Sequence, residues 1–424
     1  MEDEPNSDDY HWQYVAAAGL AVTIASLATI NAVSQREKEI CLSDLMKGRI
    51  AIVTGASSGI GLSTVKGLAA RNASVIMGCR DIIKGQKVAD EIKRLTKNDK
   101  VRVEYLDLTS LSSIAQFVSK IDRAHVLVNN AGAMYSTKQM VSKCELTNLT
   151  NHIGPFYLTN LLFDKLQRTA KEDQVVCRVI NVASRLEKNA YPNKINKNNE
   201  MGNNNEPNNK TSNNKSSTTD QNKTNNTDLV EKLLGDDQQQ SGMDIGWLTA
   251  GPEPYSTWES YANSKLCNLL TTSILAKNTS VGSGSSDSSS SATATSHGRV
   301  VGMVTMAVTP GIANTNLNQF LPWWQRMLIQ PVQNVLLKTA DQGARPVIAL
   351  ASADDAKALS MNGGYYGVGT GADVDALLAL SPSSSAQSQG LAQAVWEGSE
   401  MVVQHIIQEE LEQSQQQDQR HDRK

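Results

Sequence analysis

Cysteine is scarce and poorly spaced for bridging. The 424-residue chain has five, an odd number, and no two stand as Cys-x-x-Cys. That excludes a disulfide framework or a thiolate zinc site as the organising principle. Net charge is equally scarce, with 40 basic residues against 43 acidic ones, a balance of −3. Such a balance gives no reason to expect a nucleic-acid partner. The first 33 residues contain no Lys or Arg, so the positive n-region of a cleavable signal peptide is missing. Some stretches have few apolar residues. Residues 193–226 hold 14 Asn in 34 positions, 279–296 are nearly all Ser, Thr, Ala and Gly, and the last dozen are dominated by Gln, Asp, Arg and Lys. A polar tract of this kind cannot bury enough apolar area to offset chain ordering, so we read the Asn-rich block as disordered. The Ser-rich block reads as a flexible loop. At roughly 150 residues per domain the length suggests two or three domains. Without these tracts it leaves about 300 residues, one large domain with a proper core.

What is present begins with Tyr14 to Val33, twenty residues without a charge, the length of a bilayer-crossing helix. Glu2, Asp3, Glu4, Asp8 and Asp9 precede it, and the first basic residues, Arg36, Lys38, Lys47 and Arg49, follow it. The positive-inside rule then places the body of the protein on the cytosolic side of an organelle membrane such as the endoplasmic reticulum. The expected layout is an acidic tail 1–13, a transmembrane anchor helix 14–33, a domain over 47–405 and a polar tail 406–424. Inside the domain lie a disordered Asn-rich insertion, 189–245, and a Ser-rich loop, 278–297.

Residues Arg49 to Thr54 form a continuous apolar run, the pattern of a buried parallel strand. Gly55-Ala-Ser57-Ser58-Gly59-Ile60-Gly61 follows at once, then a helical pattern and a second apolar run from Ala73 to Gly78. In that strand–turn–helix–strand setting, glycines let backbone approach a pyrophosphate at a helix N-terminus. The second strand ends Gly78-Cys79-Arg80-Asp81, where an acid would bind a ribose 2′-hydroxyl and an Arg a 2′-phosphate. Asp81 also has the position of an N-cap for the helix DIIKGQKVADEIKR. We therefore assign Arg80 to the phosphate and expect NADP(H).

The alternation continues. Residues 101–108 read as a third strand running to Asp107, His125 to Val128 as a fourth ending in Asn129-Asn130-Ala131-Gly132, and Cys177 to Ser184 as a fifth. Strands alternating with helices imply an α/β fold with a doubly wound parallel sheet. Ligands of such sheets lie beyond the carboxyl ends of the strands, where Asp107, Asn129 to Gly132 and Ser184 stand.

Tyr261-Ala-Asn-Ser-Lys265 opens a helical stretch, and the i, i+4 spacing puts phenol and ammonium on one face. A nearby ammonium favours phenolate, so the Tyr261 pKa is expected to fall toward working pH. A tyrosine so tuned can pass a proton to a carbonyl oxygen while hydride arrives at carbon.

Taken together, Thr54-Gly55-x-x-x-Gly59-Ile60-Gly61, Asp107, Asn129-Asn130-Ala131-Gly132, Asn151, Ser184, Tyr261-x-x-x-Lys265 and Pro310-Gly311 resemble the short-chain dehydrogenase/reductase family, over roughly residues 47–405. Within it the chain is most similar to the retinol dehydrogenase branch. The segments that carry this are Asn151-His152-Ile153-Gly154, Lys338-Thr339-Ala340-Asp341-Gln342-Gly343-Ala344 and Val395-Trp396-Glu397-Gly398-Ser399. The resemblance implies a single Rossmann domain and a catalytic set of Asn151, Ser184, Tyr261 and Lys265. Tyr261 would be the acid/base and Lys265 would hold the nicotinamide ribose. Ser184 would bind the substrate oxygen and Asn151 a relay water. It implies cofactor contacts from Thr54, Gly55, Ser57, Ser58, Gly59, Ile60 and Gly61, and from Asp107, Leu108, Asn129, Ala131 and Gly132. Pro310, Gly311 and Thr315, with Tyr261 and Lys265, complete that set. It further implies a small lipophilic carbonyl or alcohol as substrate and pairing of two copies as a homodimer.

The chain departs from the family in places. Tyr261 follows Ser184 by 77 positions, because the Asn-rich block intervenes. Loop closure entropy grows slowly with length, so the fold tolerates this. Pro155 falls in an expected helix, but the family helix is distorted near its Asn. His152 and Cys267 read as structural groups rather than reactive ones. Residues Leu317 to Leu337, with Phe320, Trp323 and Trp324, suit either a lipophilic lid or a packed helix. Ser264-Lys265-Leu266-Cys267-Asn268 is also shared with protochlorophyllide reductases, which reduce a carbon–carbon double bond. A third reading is a non-catalytic NADP-binding scaffold.

Overall fold

The computed structural model describes residues 45–192, 246–279, 293–294, 300–311, 338–368 and 377–421. The main sheet has eight strands in a continuous path: β1 (Ile50–Thr54), β2 (Ser74–Cys79), β3 (Val101–Tyr105), β4 (Val126–Asn129), β5 (Val176–Val182), β6 (Val300–Val308), β7 (Tyr365–Val368) and β8 (Leu377–Ala379). Their spatial order is β8-β7-β6-β5-β4-β1-β2-β3. All neighbours are parallel except β8, which runs antiparallel to β7. The chain winds outward from β1 in both directions, so the topological switch point lies between β1 and β4.

Both faces of the sheet are covered, which is why its strands read as unbroken apolar runs. Along β1, Ala51 and Val53 pack into the core under α1 (Gly59–Ala69) and α2 (Ile82–Thr96), while Ile52 packs on the opposite face with α3 (Leu111–Ser119) and α4 (Gly154–Asp173). Each such fully buried Ile or Val contributes about 1.5–3 kcal/mol. Helix α5 (Thr257–Thr279) is buried along most of its length in a third cluster, with Ala183, Ala307 and Tyr365. Helices α6 (Ala340–Ala351), α7 (Asp355–Ser360) and α8 (Gln389–His421) complete the layers.

Local signals explain several of these elements. Asp81 caps α2 by accepting from the Lys84 amide at 2.9 Å, as its position predicts. Thr339 and Gln342 form a capping box at the start of α6. Asp341 of that same segment accepts from Ser63 Oγ at 2.5 Å, which docks α6 on α1. Residues Leu149–Ile153 form one π-helical turn that runs into α4, so Pro155 stands just after a widened turn rather than in a regular helix interior. Gly154 is required there, since a Cβ would lie 2.1 Å from the Leu108 carbonyl oxygen.

Three expected boundaries are corrected. The Asn-rich insertion does not begin at 189, because Arg185–Asn189 is a 3₁₀ turn and Ala190 is fully buried. The Tyr191 amide also donates to Asn263 Oδ1 at 2.9 Å. The Ser-rich loop does not run unbroken from 278 to 297. Helix α5 extends to Thr279, and Thr293–Ala294 pairs antiparallel with β6. The tail does not start at 406. Helix α8 runs to His421, Ile406 is buried, and Glu410 accepts from the amides of Leu111 and Ser112 at 3.0 and 2.9 Å. A carboxylate at the N-terminus of α3 suits the helix dipole. Among the described residues no helix is long and apolar enough to cross a membrane. The anchor expected at 14–33 lies outside them, as do Thr315 and all of 317–337.

Candidate active site

The glycine-rich turn sits at the switch point, between the C-terminal ends of β1 and β4. Gly55 and Gly59 have φ of +64° and +54°, a region that favours glycine. A Cβ on Gly61 would lie 2.5 Å from both the Gly55 oxygen and Asn130 Nδ2. Ser58 caps α1 with no side-chain bond, so the first amides of the helix point into the turn. Thr54 is fully buried and accepts from the amides of Asn130 and Ala131 at 3.0 and 2.9 Å, while Asn130 Nδ2 donates to the Thr54 oxygen at 2.8 Å. Thr54 thus ties the ends of β1 and β4 together.

The remaining expected cofactor residues are less uniform. Arg80 is exposed at the end of β2, beside the Asp81 cap. Asp107 is half-buried and its carboxylate accepts from the amide and hydroxyl of Thr109, at 2.9 and 2.8 Å. Leu108 is buried against α4, and its backbone faces Gly154. Gly132 lies over the pocket, its Cβ position 3.5 Å from Lys265 Nζ and 3.6 Å from Asn151 Oδ1. Asn129 faces inward instead, donating to Thr159 Oγ1 and Asn181 Oδ1 at 2.9 Å each. Its side chain locks β4 to α4 and β5. Pro310 and Gly311 close β6, with Gly311 at φ +79° and the Lys338 ammonium 3.4 Å from where its Cβ would be.

The four residues of the expected catalytic set come together. Ser184, at the end of β5, hydrogen-bonds the Tyr261 phenol. Lys265 Nζ lies 5.4 Å from the centre of the Tyr261 ring and donates to the Val182 oxygen at 2.9 Å. Asn151 accepts from the Ala133 amide at 2.7 Å, donates to the Ala133 oxygen at 2.9 Å, and donates to Ser264 Oγ at 3.1 Å. Ser264 Oγ in turn donates to the Tyr261 main-chain carbonyl oxygen, one turn back in α5, at 2.7 Å. The π turn aims Asn151 at this network.

The expected fall of the Tyr261 pKa is reversed. Burial pushes the phenol up to about 12, and the Ser184 hydrogen bond offsets only part of it. Burial also pushes Lys265 down to about 8, so the two groups move toward their neutral forms together. Cys267 and His152 are both buried. The Cys267 thiol is fully buried and pushed well up. His152 Nε2 is 2.7 Å from Ser399 Oγ, and its neighbour Phe156 stacks edge-on with Trp396 at 4.9 Å. These contacts bring the Asn151–Gly154 and Val395–Ser399 segments together. Sequence reading passed over Glu145, a fully buried carboxylate that accepts at 2.6 Å from the hydroxyl of Ser260, the residue before Tyr261. A lone Glu in a polar stretch carries no periodicity or motif that marks it.

The comparisons with known proteins agree with this geometry. The short chain dehydrogenase family pattern matches residues 49–196. Retinol dehydrogenase 11 from Homo sapiens is 40% identical over 151 residues, 34% of this chain and 46% of that protein. The matched stretch therefore spans about half the length of that relative. Retinol dehydrogenase 13 from Homo sapiens is 27% identical, over 84% of this chain and 85% of its own. A solved structure of an uncharacterised protein from Mycobacterium Paratuberculosis superposes with a TM-score of 0.54 at 26% identity, covering 84% of this chain and 94% of that one. Over residues 49–196 the chain is thus similar to the short chain dehydrogenases, and over most of its length it is similar to retinol dehydrogenases.

Proposed function

We propose that this chain is an NADP(H)-dependent oxidoreductase that moves hydride between nicotinamide and a lipophilic carbonyl or alcohol carbon, of a retinal-like compound, a steroid or a fatty aldehyde. The observation that carries this reading is the convergence of Tyr261, Ser184, Lys265 and Asn151 beyond the carboxyl ends of β4 and β5. The turn fits a dinucleotide, because Gly55 and Gly59 adopt positive φ and the Ser58 side chain leaves the first amides of α1 uncapped, where a pyrophosphate would sit. Arg80, exposed and next to an acid already engaged as a helix cap, supports a 2′-phosphate and hence NADP(H).

When bound, the nicotinamide supplies or accepts the hydride. The chain itself handles the proton. A Tyr261 phenol held near 12 keeps its proton at neutral pH, the form that donates to a carbonyl oxygen, and this supports reduction as the favoured direction. Ser184 binds the same oxygen, and Lys265, at about 8, carries its proton at pH 7 and holds the ribose. The uncharged run 14–33 supports a membrane-anchored enzyme with its domain on the cytosolic side, where apolar substrates partition. The family resemblance supports a homodimer.

The test is NADPH oxidation by the full chain in detergent, against retinal, steroid ketones and fatty aldehydes, with NADH and Tyr261→Phe alongside. Turnover with NADPH that disappears in Tyr261→Phe supports the reading. Tight NADPH binding with no turnover on any compound overturns it in favour of a cofactor-binding scaffold.

A further inference from the structure

Glu145 ends a short antiparallel hairpin, Met140–Val141 with Cys144–Glu145, that precedes the π turn. Its side chain is fully buried and no Lys, Arg or His bonds to it among the described residues. Its charge is met by neutral donors instead. Oε1 accepts from the Thr147 amide at 3.0 Å and the Thr147 hydroxyl at 2.9 Å. Oε2 accepts from the Asn148 amide at 3.1 Å and the Ser260 hydroxyl at 2.6 Å. The Tyr255 hydroxyl shares its single proton between the Tyr135 oxygen, at 2.9 Å, and Glu145 Oε1, at 3.3 Å. Gly251, at φ +72°, lets the chain pass close by, since a Cβ there would be 3.1 Å from Glu145 Cγ.

These donors come from both sides of the chemistry. Thr147 and Asn148 lead directly into the turn that carries Asn151. Ser260 is the residue before Tyr261, in the first turns of α5. Tyr135 follows Ala133, whose backbone holds the Asn151 amide group. Hydrogen bonds and short chain steps together link the two sides: Asn151 bonds the Ala133 backbone, Tyr255 bonds the Tyr135 oxygen two residues on and Glu145, Ser260 bonds Glu145, and Ser264 bonds both the Tyr261 carbonyl oxygen and Asn151. Burying an ionised carboxylate is costly, and a helix could be capped at its surface for less. Here the carboxylate spans two segments that lie 115 residues apart in sequence.

We propose that Glu145 is a positioning residue of the reductase site, which sets the spacing between the Asn151 turn and the Tyr261 helix. This rests on the function proposed above. Gln at 145 has the same shape but offers one acceptor where the site presents donors on both sides, so it leaves at least one buried donor unpaired. Misplacing a reacting group by about 1 Å costs on the order of 10²-fold in rate.

The experiment measures kcat and KM for NADPH and retinal in wild type, Glu145→Gln and Ser260→Ala, with titration of the Tyr261 phenol by ultraviolet difference spectra against Tyr261→Phe. The expected result is a kcat lowered on the order of 10²-fold in Glu145→Gln and about 10-fold in Ser260→Ala, a KM for NADPH within about 2-fold of wild type, and a displaced phenol titration. Variants that melt lower but keep wild-type kcat and phenol titration overturn the proposal, leaving Glu145 a purely structural group. If Glu145→Gln does not fold, Ser260→Ala decides by the same criteria. If wild type itself turns nothing over, the reductase reading fails, and the positioning claim stands or falls on the phenol titration alone.

Discussion

The two edges of the central sheet use polar side chains in opposite ways. At the N-terminal edge, Arg178 is 1% exposed, yet its guanidinium reaches the Val176 and Ala353 oxygens and Asp355 Oδ1, the last at 2.9 Å. Asp355 also accepts from Arg49 and from the Val176 amide, at 3.2 and 3.0 Å. Nearby, His125 Nδ1 accepts from the Ile50 amide at 3.0 Å while Nε2 pairs with Asp173 at 2.9 Å. Charges there meet opposite charges, and the strand starts are fastened. At the C-terminal edge, the bonds found for Lys265 are to a neutral carbonyl and a ring face, and burial pushes Tyr261 and Lys265 toward neutrality. The lesson is that burial alone does not mark a site. At one edge buried charged groups meet opposite charges and fasten the strand starts, and at the other Tyr261 and Lys265 meet neutral partners and are pushed toward neutrality.

Two substitutions break this comparison if it is wrong. Tyr261→Phe removes one hydroxyl from the open edge and is expected to lower turnover about 10²–10⁴-fold with little change in thermal midpoint. Steady-state kinetics and a melt on the same sample check it. Arg178→Ala strips the guanidinium from Asp355 and is expected to destabilise the fold by about 3–5 kcal/mol, read by urea unfolding, while folded enzyme keeps its kcat. The reverse pattern, with Arg178→Ala disabling chemistry in a stable protein, would mean that the closed edge communicates with the site.

His152 sharpens the comparison, because it neighbours the site residue Asn151 yet behaves like the closed edge. It is 1% exposed and hydrogen-bonds Ser399, and burial pushes its pKa from 6.5 to about 4. The unfolded chain therefore takes up this proton first as pH falls. Stability from the neutral imidazole is full above about 6.5 and is lost progressively toward 4. The loss amounts to about 3 kcal/mol at 1.36 kcal/mol per pKa unit. Urea unfolding between pH 7 and 4 checks the sign, and His152→Gln should flatten the slope. An equal slope in the variant would assign the effect to His125, whose pKa burial also lowers.

Much of this was legible from residue order. The apolar run before Gly55, the glycine turn and the Tyr261–Lys265 spacing reflect local rules, and the structure brings them together at the switch point. The Asp81 cap follows the same local logic. The inward turn of the Asn129 side chain was not legible, because a place in a recognisable turn does not tell which way a side chain points. The Tyr261 pKa was misjudged because helical spacing brings a cation near but says nothing of the surrounding burial. The Arg178–Asp355 pair and Glu145 were missed, since each joins segments more than 100 residues apart. No periodicity or spacing encodes such a meeting.

The smallest expected effect separates two neighbours at the end of β2. Asp81 accepts from the Lys84 amide on an exposed helix start, so Asp81→Ala is expected to cost about 1 kcal/mol of stability. If capping is its whole role, the ratio of kcat/KM for NADPH over NADH stays within about 2-fold of wild type. Arg80→Ala should do the opposite, leaving stability alone and lowering that ratio about 10-fold, the scale of one charge-assisted hydrogen bond. If Asp81→Ala instead impairs NADH use, the carboxylate reads the ribose, and Arg80 is an ordinary solvated charge. A bystander role for Arg80 would also remove the main support for NADP(H), so this pair of variants decides the cofactor as well as the cap.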